Sequence, residues 1–197
     1  MIIDDIQFKK LLTAEEVQQI VQRMAAEVYQ DYKDKSPLFV GVLNGAFRLT
    51  SDFISYYEGD CKVSFVKLAS YSGLTSTQLV QTLLEVSEDI EGHDIVILED
   101  IIDSGRTLKT LVDMFSNAKV NSFRIASLLY KKDTYQGEYA IDYIGREIPS
   151  EFVVGYGLDY NEEGRNLNAI YIIDKDEWKT LFYLESLGQE KELKQLY

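Results

Sequence analysis

The chain has 197 residues, of which 46% are hydrophobic and 27% are charged, so it is long enough to bury one substantial core without disulfide or metal staples. The formal net charge of −13 excludes the usual basis of nonspecific nucleic-acid binding, in which Lys and Arg neutralise phosphates. Cys61 is the only cysteine, which excludes an intrachain disulfide. The acidic start MIIDD lacks the basic region of a signal peptide, and no apolar run approaches the roughly 20 residues that span a bilayer. We therefore expect a cytoplasmic protein.

The first half of the chain is predicted to alternate helices and strands. A helix begins after Thr13, because Thr13 and Glu16 form the capping-box pattern and apolar residues follow at helical spacing. The run PLFVGVL is typical of a buried strand, and Asn44-Gly45 then turns the chain into a second helix that runs through Ile54. The remaining predictions in this half are a strand at 62–69, a polar loop at 70–78 and a strand at 82–87.

The second half continues the alternation. The buried strand DIVILED leads into the amphipathic helix RTLKTLVDMFSNA, and FRIASLLY follows as another buried strand. Shorter strands are predicted at 140–145, 152–157 and 169–174. This order indicates an α/β fold with a mainly parallel sheet covered on both faces, in which ligands bind beyond the carboxyl ends of the strands.

One stretch at such a strand end, VILEDIIDSGRTL (96–108), includes a turn suited to phosphate. In the turn from Ser104 to Thr107, backbone N–H groups can converge around a glycine, and the start of the following helix adds partial positive charge. The hydroxyls of Ser104 and Thr107 add further donors, so one phosphate monoester would fit. The turn taken alone supports an alternative equally well, in which Asp103 or Ser104 only caps the helix.

The same stretch carries three carboxylates. Glu99 and Asp100 end the apolar strand, where they would suit ribose hydroxyls and a hydrated Mg²⁺, a hard cation that prefers oxygen ligands. Asp103 lies at the turn, in a position for general-base chemistry. Acids at a strand end are ordinarily a solvated surface, but their combination with a phosphate turn favours a binding site. A metal would also offset the repulsion between a −13 protein and an anionic substrate.

The whole stretch VILEDIIDSGRTL strongly resembles the phosphoribosyl pyrophosphate (PRPP) signature of type I phosphoribosyltransferases, in the form found in the hypoxanthine-guanine branch. The segment EIPSEFVVGYGLDYNEEGRNL (147–167) is similar to the purine-binding segment of that branch. The resemblance extends from about Leu38 to Asp174, with both motifs in the right order and spacing. It implies a type I phosphoribosyltransferase fold, with a twisted parallel sheet flanked by helices, a small hood of N- and C-terminal segments and a flexible active-site loop.

The resemblance implies one domain over 1–197, with a core at about 38–174. The C-terminal extension 175–197 is predicted to form an amphipathic helix for core packing or subunit contact. It also implies a homo-oligomer, either a dimer or a tetramer.

The family also implies roles for the PRPP signature. The amides and hydroxyls of the loop hold the 5′-phosphate, and the residues matching Glu99 and Asp100 face the ribose and the waters of Mg²⁺. The residue matching Asp103 is the catalytic group, as proton acceptor or hydrogen-bond partner of the purine N7. The PRPP-binding residues implied in this way are Glu99, Asp100, Asp103, Ser104, Gly105, Arg106 and Thr107.

A purine site is implied by four further matches. Lys131 matches the lysine that donates to the purine 6-oxo oxygen, and because an ammonium has donors only, it would favour hypoxanthine or guanine over adenine. Phe152 matches the aromatic residue that stacks on the base, and Val153 the residue whose backbone groups read the base edge. Asp159 matches a carboxylate near a second metal and the purine 2-position. Without the resemblance, Lys131 would be interpreted as a surface lysine and FVV as strand core.

Pyrophosphate and loop residues complete the set. Arg165 matches a pyrophosphate-binding arginine, whose fork of donors suits that anion. Leu43, Asn44 and Gly45 fall at the pyrophosphate loop, where the family often has a cis peptide and a Lys or Arg in place of Asn44. Ser70 and Tyr71 match the characteristic pair of the mobile loop, whose closure would exclude water.

The sequence therefore predicts Mg²⁺-dependent transfer of the 5-phosphoribosyl group from PRPP to hypoxanthine or guanine, giving IMP or GMP and pyrophosphate. The alternative is a regulatory protein that keeps the PRPP pocket and acts through ligand-controlled partner contact, because a fold does not dictate function. Regulators of this type that act on DNA normally carry an extra DNA-binding domain and a basic surface, and this sequence suggests neither. Hypoxanthine, guanine and xanthine cannot be ranked from the sequence.

Overall fold

A computed structural model describes residues 1–4, 6–70, 80–84 and 90–174. The described strands are, in chain order, β1 (Ile2–Ile3), β2 (Ile6–Leu12), β3 (Leu38–Leu43), β4 (Lys62–Ser70), β5 (Val80–Leu84), β6 (Asp94–Ile102), β7 (Ser122–Tyr130), β8 (Tyr143–Glu147), β9 (Val153–Val154) and β10 (Ile170–Ile173). The described helices are α1 (Ala14–Tyr32), α2 (Phe47–Tyr56) and α3 (Arg106–Ser116).

The first helix follows from its sequence. The hydroxyl of Thr13 accepts a hydrogen bond from the Glu16 amide, and the Glu16 carboxylate accepts one from the Thr13 amide, so the predicted capping box is confirmed. The apolar residues at helical spacing are buried on one face of α1. This stripe packs against α2 and the main sheet.

The main sheet has the strand order β5-β4-β3-β6-β7-β8. All of its pairings are parallel except the edge pairing of β4 with β5, which confirms the predicted mainly parallel sheet. Within β6, Val96 and Leu98 pack on the side of α1 and α2, whereas Ile95 and Ile97 pack on the side of α3. Both faces are covered, which is why the central strands read as continuous apolar runs rather than alternating ones.

A second, antiparallel sheet has the order β1-β2-β10-β9 and joins the two ends of the described chain. Phe8 and Val154 are buried between its strands and the segment that follows β9. This is the hood that the resemblance implied. The sequence pattern predicted no strand before Thr13. This prediction was wrong. Strand β2 was not recognised because it fully buries only Phe8 and Leu12, which leaves a weak period-two pattern in the sequence.

Several predicted strand boundaries shift. The strand predicted at 140–145 lies at Tyr143–Glu147, and the described part of the strand predicted at 82–87 is Val80–Leu84. The strand predicted at 152–157 ends at Val154, since Gly155 and Gly157 adopt φ values of +105° and +103°, outside the extended region.

Two predictions can be placed only in part. Ser70 ends β4, whereas Tyr71 and the C-terminal extension 175–197 lie outside the described residues. In the part of the chain that is described, no helix combines the length and apolar character needed to cross a membrane.

Candidate active site

Three loops meet where β3, β6 and β7 end, because these strands are parallel neighbours in the centre of the main sheet. The loop after β3 carries Asn44 and Gly45. The end of β6 carries Glu99 and Asp100 and continues into the turn before α3. Lys131 directly follows β7. Residues separated by as many as 87 positions are thus gathered at one edge of the sheet.

Asp103 and Lys131 are in direct contact. The Lys131 ammonium donates to Asp103 Oδ2 at 2.8 Å, and the Thr134 hydroxyl donates to Asp103 Oδ1 at 2.5 Å. Only 6% of Lys131 is exposed, so the interpretation as a surface lysine is wrong. The side chain of Asp103 is 49% exposed and can therefore reach a ligand in the crevice.

The ionisation of Asp103 reflects these contacts. Partial burial tends to raise the pKa of Asp103, but the hydrogen bonds from Lys131 and Thr134 and the charge of Lys131 outweigh it. The pKa therefore lies below the ordinary value of an aspartate. The carboxylate is anionic at neutral pH, as a proton acceptor or an acceptor of an N7–H hydrogen bond must be.

Helix α3 begins at an N-cap residue that has no side chain to cap it. The N-cap is Gly105, in the left-handed region at φ +83°, and no side-chain cap bond is formed there. The alternative in which Asp103 or Ser104 only caps the helix is therefore wrong. A Cβ on Gly105 would lie 2.6 Å from the ring of Tyr135, so this position requires glycine. Ser104, Gly105 and Arg106 line one wall of an open cleft of about 440 Å³.

Of the two acids at the end of β6, Glu99 is buried and Asp100 is partly buried. Glu99 is 7% exposed, and its Oε2 atom is buried without a hydrogen-bond partner in the described structure. Burial and the neighbouring Asp100 raise the pKa of Glu99 well above its usual range. Burial likewise raises the pKa of Asp100 to about 6, against the lowering effects of backbone hydrogen bonds and Arg165. These acids are not a solvated strand end.

Asp100 also packs against the loop after β3. A Cβ on Gly45 would lie 1.7 Å from Asp100 Oδ2, and a Cβ on Gly157 would lie 2.1 Å from the Gly45 carbonyl oxygen. Gly45 is thus held between the acid and the backbone near Gly157. The peptide bond between Leu43 and Asn44 is cis, as expected from the resemblance. Asn44 is exposed and contributes no charge.

Arg165 is oriented by two acceptors. Its guanidinium donates to the Gly157 carbonyl oxygen at 2.7 Å and pairs with Asp159 Oδ1 at 2.6 Å. The other oxygen of Asp159 accepts the Glu162 amide at 2.9 Å. These contacts bring Arg165 and Asp159 together as a pair, and Arg165 is close enough to lower the pKa of Asp100.

Phe152 and Val153 differ in exposure, although they are adjacent. Phe152 is 45% exposed, whereas Val153 is 4% exposed in the core. The Phe152 ring is backed by Tyr160 and Phe8, at centroid distances of 5.7 Å and 6.4 Å. The interpretation of FVV as strand core is therefore wrong for Phe152. This ring offers a supported aromatic face on which a flat ligand can stack.

Arg48 was not predicted from the sequence. It donates to the carbonyl oxygens of Asn166 and Leu167 at 3.1 and 2.7 Å and to Asn168 Oδ1 at 2.7 Å. Its guanidinium also lies 5.0 Å from the centre of the Tyr156 ring. Arg48 thereby ties the start of α2 to the segment after Arg165. No motif marks this contact, because it joins residues about 120 positions apart.

Thr134, in the polar run KKDTYQG, was likewise not predicted from the sequence. Its position three residues after Lys131 carried no recognisable signal.

For metals, no group of three His, Cys, Asp or Glu side chains is arranged to hold an ion within the described ranges. Glu99 and Asp100 at the end of β6 are the residues best placed to face one.

Comparisons with known proteins point in one direction. Residues 7–161 match the model of the phosphoribosyl transferase domain. The hypoxanthine-guanine phosphoribosyltransferase of Staphylococcus epidermidis is 41% identical over 161 residues, covering 81% of this chain and 90% of the relative. The corresponding enzyme of Bacillus subtilis is 40% identical over 166 residues, covering 84% and 92%. The crystal structure of a hypoxanthine-guanine phosphoribosyltransferase from Bacillus anthracis superimposes with a TM-score of 0.81 at 32% identity, covering 86% of this chain and all of that one.

Proposed function

The chain belongs to the phosphoribosyltransferase family, in its hypoxanthine-guanine branch, and we propose that the crevice at the ends of β3, β6 and β7 is where it carries out the reaction. It is an enzyme of purine salvage that transfers the 5-phosphoribosyl group of PRPP to hypoxanthine or guanine. The observation that carries the site assignment is the contact of Asp103 with Lys131 beside the uncapped phosphate turn.

The turn from Ser104 to Thr107 binds the 5′-phosphate of PRPP. The N-cap residue Gly105 forms no side-chain cap bond, and the start of α3 adds partial positive charge. The left-handed Gly105 shapes the turn, and the two hydroxyls supply further donors. The sugar is thereby anchored at its phosphate, at the edge of the sheet where the acids lie.

Glu99 and Asp100 act at the ribose. Loss of pyrophosphate from C1′ builds positive charge on the sugar, and buried carboxylates stabilise such charge more effectively than solvated ones do. Burial is the main cause of their raised pKa values, because it makes the charged form of each acid costly, and at Glu99 the charge of Asp100 adds to that cost. A positively charged sugar in the transition state relieves that cost.

Mg²⁺ fits the same pair. It usually binds through one or two carboxylates, several waters and substrate phosphates, so it does not need three protein ligands. The buried Glu99 Oε2, which has no hydrogen-bond partner among the described residues, and the carboxylate of Asp100 would hold the ion, directly or through its waters. When bound, Mg²⁺ would neutralise the departing pyrophosphate. Asp159 is proposed for a second metal, although it pairs with Arg165 here.

The base binds between Phe152 and the contact of Lys131 with Asp103. Phe152 stacks on the ring, and the backbone of Val153 reads the base edge. Lys131 donates to the 6-oxo oxygen, and Asp103 accepts at N7. Arg165 and the backbone of the loop at Leu43–Gly45 bind pyrophosphate, and Asn44 contributes no charge to it.

The activity is tested by a turnover panel. Hypoxanthine, guanine, xanthine and adenine are each supplied with PRPP and Mg²⁺, and pyrophosphate release is measured. We expect release with hypoxanthine and guanine and little with adenine. A gel-shift assay run in parallel tests the regulatory alternative; DNA binding together with no pyrophosphate release from any base would favour it.

Replacing Lys131 with alanine is expected to lower kcat/KM for hypoxanthine about 30-fold, because the only donor assigned to the 6-oxo oxygen is lost. Discrimination against adenine should weaken at the same time, since the ammonium is what adenine cannot satisfy. The measurement is kcat/KM for both bases. Lys132→Ala, at the exposed neighbouring lysine, makes the same change in charge and should leave both values near wild type. Full retention of 6-oxopurine preference in Lys131→Ala would move this role elsewhere.

Mg²⁺ and PRPP together are expected to stabilise the protein less at about pH 5.5 than at about pH 7.5. The folded-state pKa of Asp100 is raised to about 6, so the free protein favours the protonated acid at low pH and loses this preference as the pH rises through about 6. A bound cation requires the charged form, so the stabilisation it gives grows over the same range. The measurement is the ligand-induced shift in Tm at both pH values.

Asp100→Asn is the control for this pH dependence. PRPP itself changes charge near pH 6, and the variant keeps that contribution while removing the carboxylate. The wild-type shift should therefore depend on pH more strongly than the variant's shift. Equal dependence in the two proteins would contradict a role for Asp100 at the metal.

We also propose a cytoplasmic homo-oligomer, a dimer or a tetramer, formed from single-domain subunits with a closing loop that includes Ser70 and Tyr71. The support for this is the family membership. Light scattering of the intact chain gives the subunit number directly.

A further inference from the structure

Asp103 is held at both of its oxygens by the loop that follows β7. Lys131 donates to Oδ2 at 2.8 Å, and the hydroxyl of Thr134 donates to Oδ1 at 2.5 Å. Thr134 is itself fixed, because its amide donates to the Lys131 carbonyl oxygen at 3.2 Å and closes a turn. A carboxylate gripped at both oxygens has its plane fixed, whereas one contact leaves rotation about χ2 free.

The two partners of Asp103 differ in whether they must also bind the substrate. Under the proposed function, the ammonium of Lys131 must also donate to the 6-oxo oxygen of the base. Its position is then a compromise between two acceptors. The hydroxyl of Thr134 has one hydrogen and no substrate acceptor assigned to it. Two protein acceptors lie within its reach, Asp103 Oδ1 at 2.5 Å and the Lys131 carbonyl oxygen at 3.2 Å, and the shorter contact is the one to Asp103. The hydroxyl can therefore stay on Asp103 while Lys131 is shared.

Exposure makes this second contact important. The Asp103 side chain is 49% exposed, so packing alone does not select one orientation. Its backbone leaves β6 at the turn before α3, where regular strand hydrogen bonding has ended. We propose that Thr134 is a positioning residue, which holds the Asp103 carboxylate toward the incoming base when Lys131 engages the 6-oxo oxygen. The inference rests on the proposed function and deepens it.

The test uses Thr134→Val, which keeps the side-chain shape and removes the hydroxyl. We expect kcat for hypoxanthine to fall about tenfold, because a charge-assisted hydrogen bond that orients a reacting group is lost. The KM for PRPP should stay within about twofold of wild type, since the phosphate turn and the β6 acids are untouched. Thr134→Ser restores the hydroxyl and should recover kcat to within about threefold. Thr110→Val, the same change on α3, is the matched control and should leave both values near wild type.

A double-mutant cycle with Asp103→Asn tests whether Thr134 affects kcat through the Asp103 carboxylate. If Thr134 acts through Asp103, Thr134→Val should change kcat by less than about twofold in the Asp103→Asn background. A tenfold loss that persists in that background would overturn the inference, as would a wild-type kcat in Thr134→Val. Should Thr134→Val fail to fold, Thr134→Ala, which also removes the hydroxyl, replaces it in the cycle and carries the same expected values.

Failure of the proposed function would look different from failure of this inference. Wild-type protein that releases no pyrophosphate with any 6-oxopurine removes the reaction itself. If the wild-type protein turns over hypoxanthine and Thr134→Val has the same kcat, only the positioning role of Thr134 is removed. A fall in kcat, a rise in the PRPP KM and a lower Tm, with no rescue by serine, would make Thr134 a structural residue and overturn the inference as well.

Discussion

Asp103→Asn is expected to lower turnover about 100- to 1000-fold while PRPP affinity stays within about threefold of wild type. The amide keeps the shape of the side chain but has no negative charge to accept or stabilise a proton at the purine N7, and general acid–base groups contribute on this scale. PRPP is held by the backbone of the phosphate turn and by the acids of β6, none of which changes. The measurements are kcat with hypoxanthine and the dissociation constant of PRPP with Mg²⁺.

The neighbouring loop offers a matched control for this variant. Asp133 is exposed and lies in the same turn as Thr134, so Asp133→Asn makes the same change in charge near the same site. It should leave kcat within about twofold of wild type. Unchanged turnover in Asp103→Asn would remove Asp103 from the mechanism. A large loss of PRPP affinity would instead assign it to the sugar phosphate.

The strand, turn and helix at 94–116 could be predicted because their signals are local. A continuous apolar run, a glycine turn and an amphipathic pattern lie in that order along the chain, and each is decided by neighbours in sequence. The mainly parallel sheet around them followed from the alternation of strands and helices, whereas its strand order was not predicted. The exposure of Phe152, by contrast, could not be predicted from any local signal. Without the resemblance, FVV reads as core, because the rings of Phe8 and Tyr160 that support Phe152 from one side are set by tertiary packing.

The contacts that could not be predicted join distant parts of the chain. Thr134 reaches Asp103 across 31 positions, and Arg48 reaches the segment after Arg165 across about 120. Neither threonine nor arginine has a pattern that reveals its partner, because the geometry is created by neighbouring strands ending at the same edge. Strands β1 and β2 were not predicted for a related reason. They are stabilised by pairing with each other, and β2 also pairs with β10, so their own composition gives little signal.

Gly45→Ala is expected to lower kcat/KM about 100-fold, although the change adds a single methyl group. That methyl would lie 1.7 Å from Asp100 Oδ2 and 2.4 Å from its Cγ, so the carboxylate must turn away. The loop cannot move back instead, because the Gly45 carbonyl oxygen is already against Gly157, where a Cβ would lie only 2.1 Å away. A displacement of about 1 Å at a reacting centre is enough for a loss of this size.

Stability should fall much less than activity in Gly45→Ala. Asp100 is only partly buried, so turning it away costs about 1–3 kcal/mol of unfolding free energy, the usual range for overpacking. Gly92→Ala is the control, because Gly92 has open space around it but a φ of +72°, so alanine there strains the backbone without touching the site. It should lower Tm and leave kcat/KM unchanged. If Gly45→Ala kept wild-type kcat/KM, the close packing of Asp100 on the pyrophosphate loop would have no part in positioning that acid.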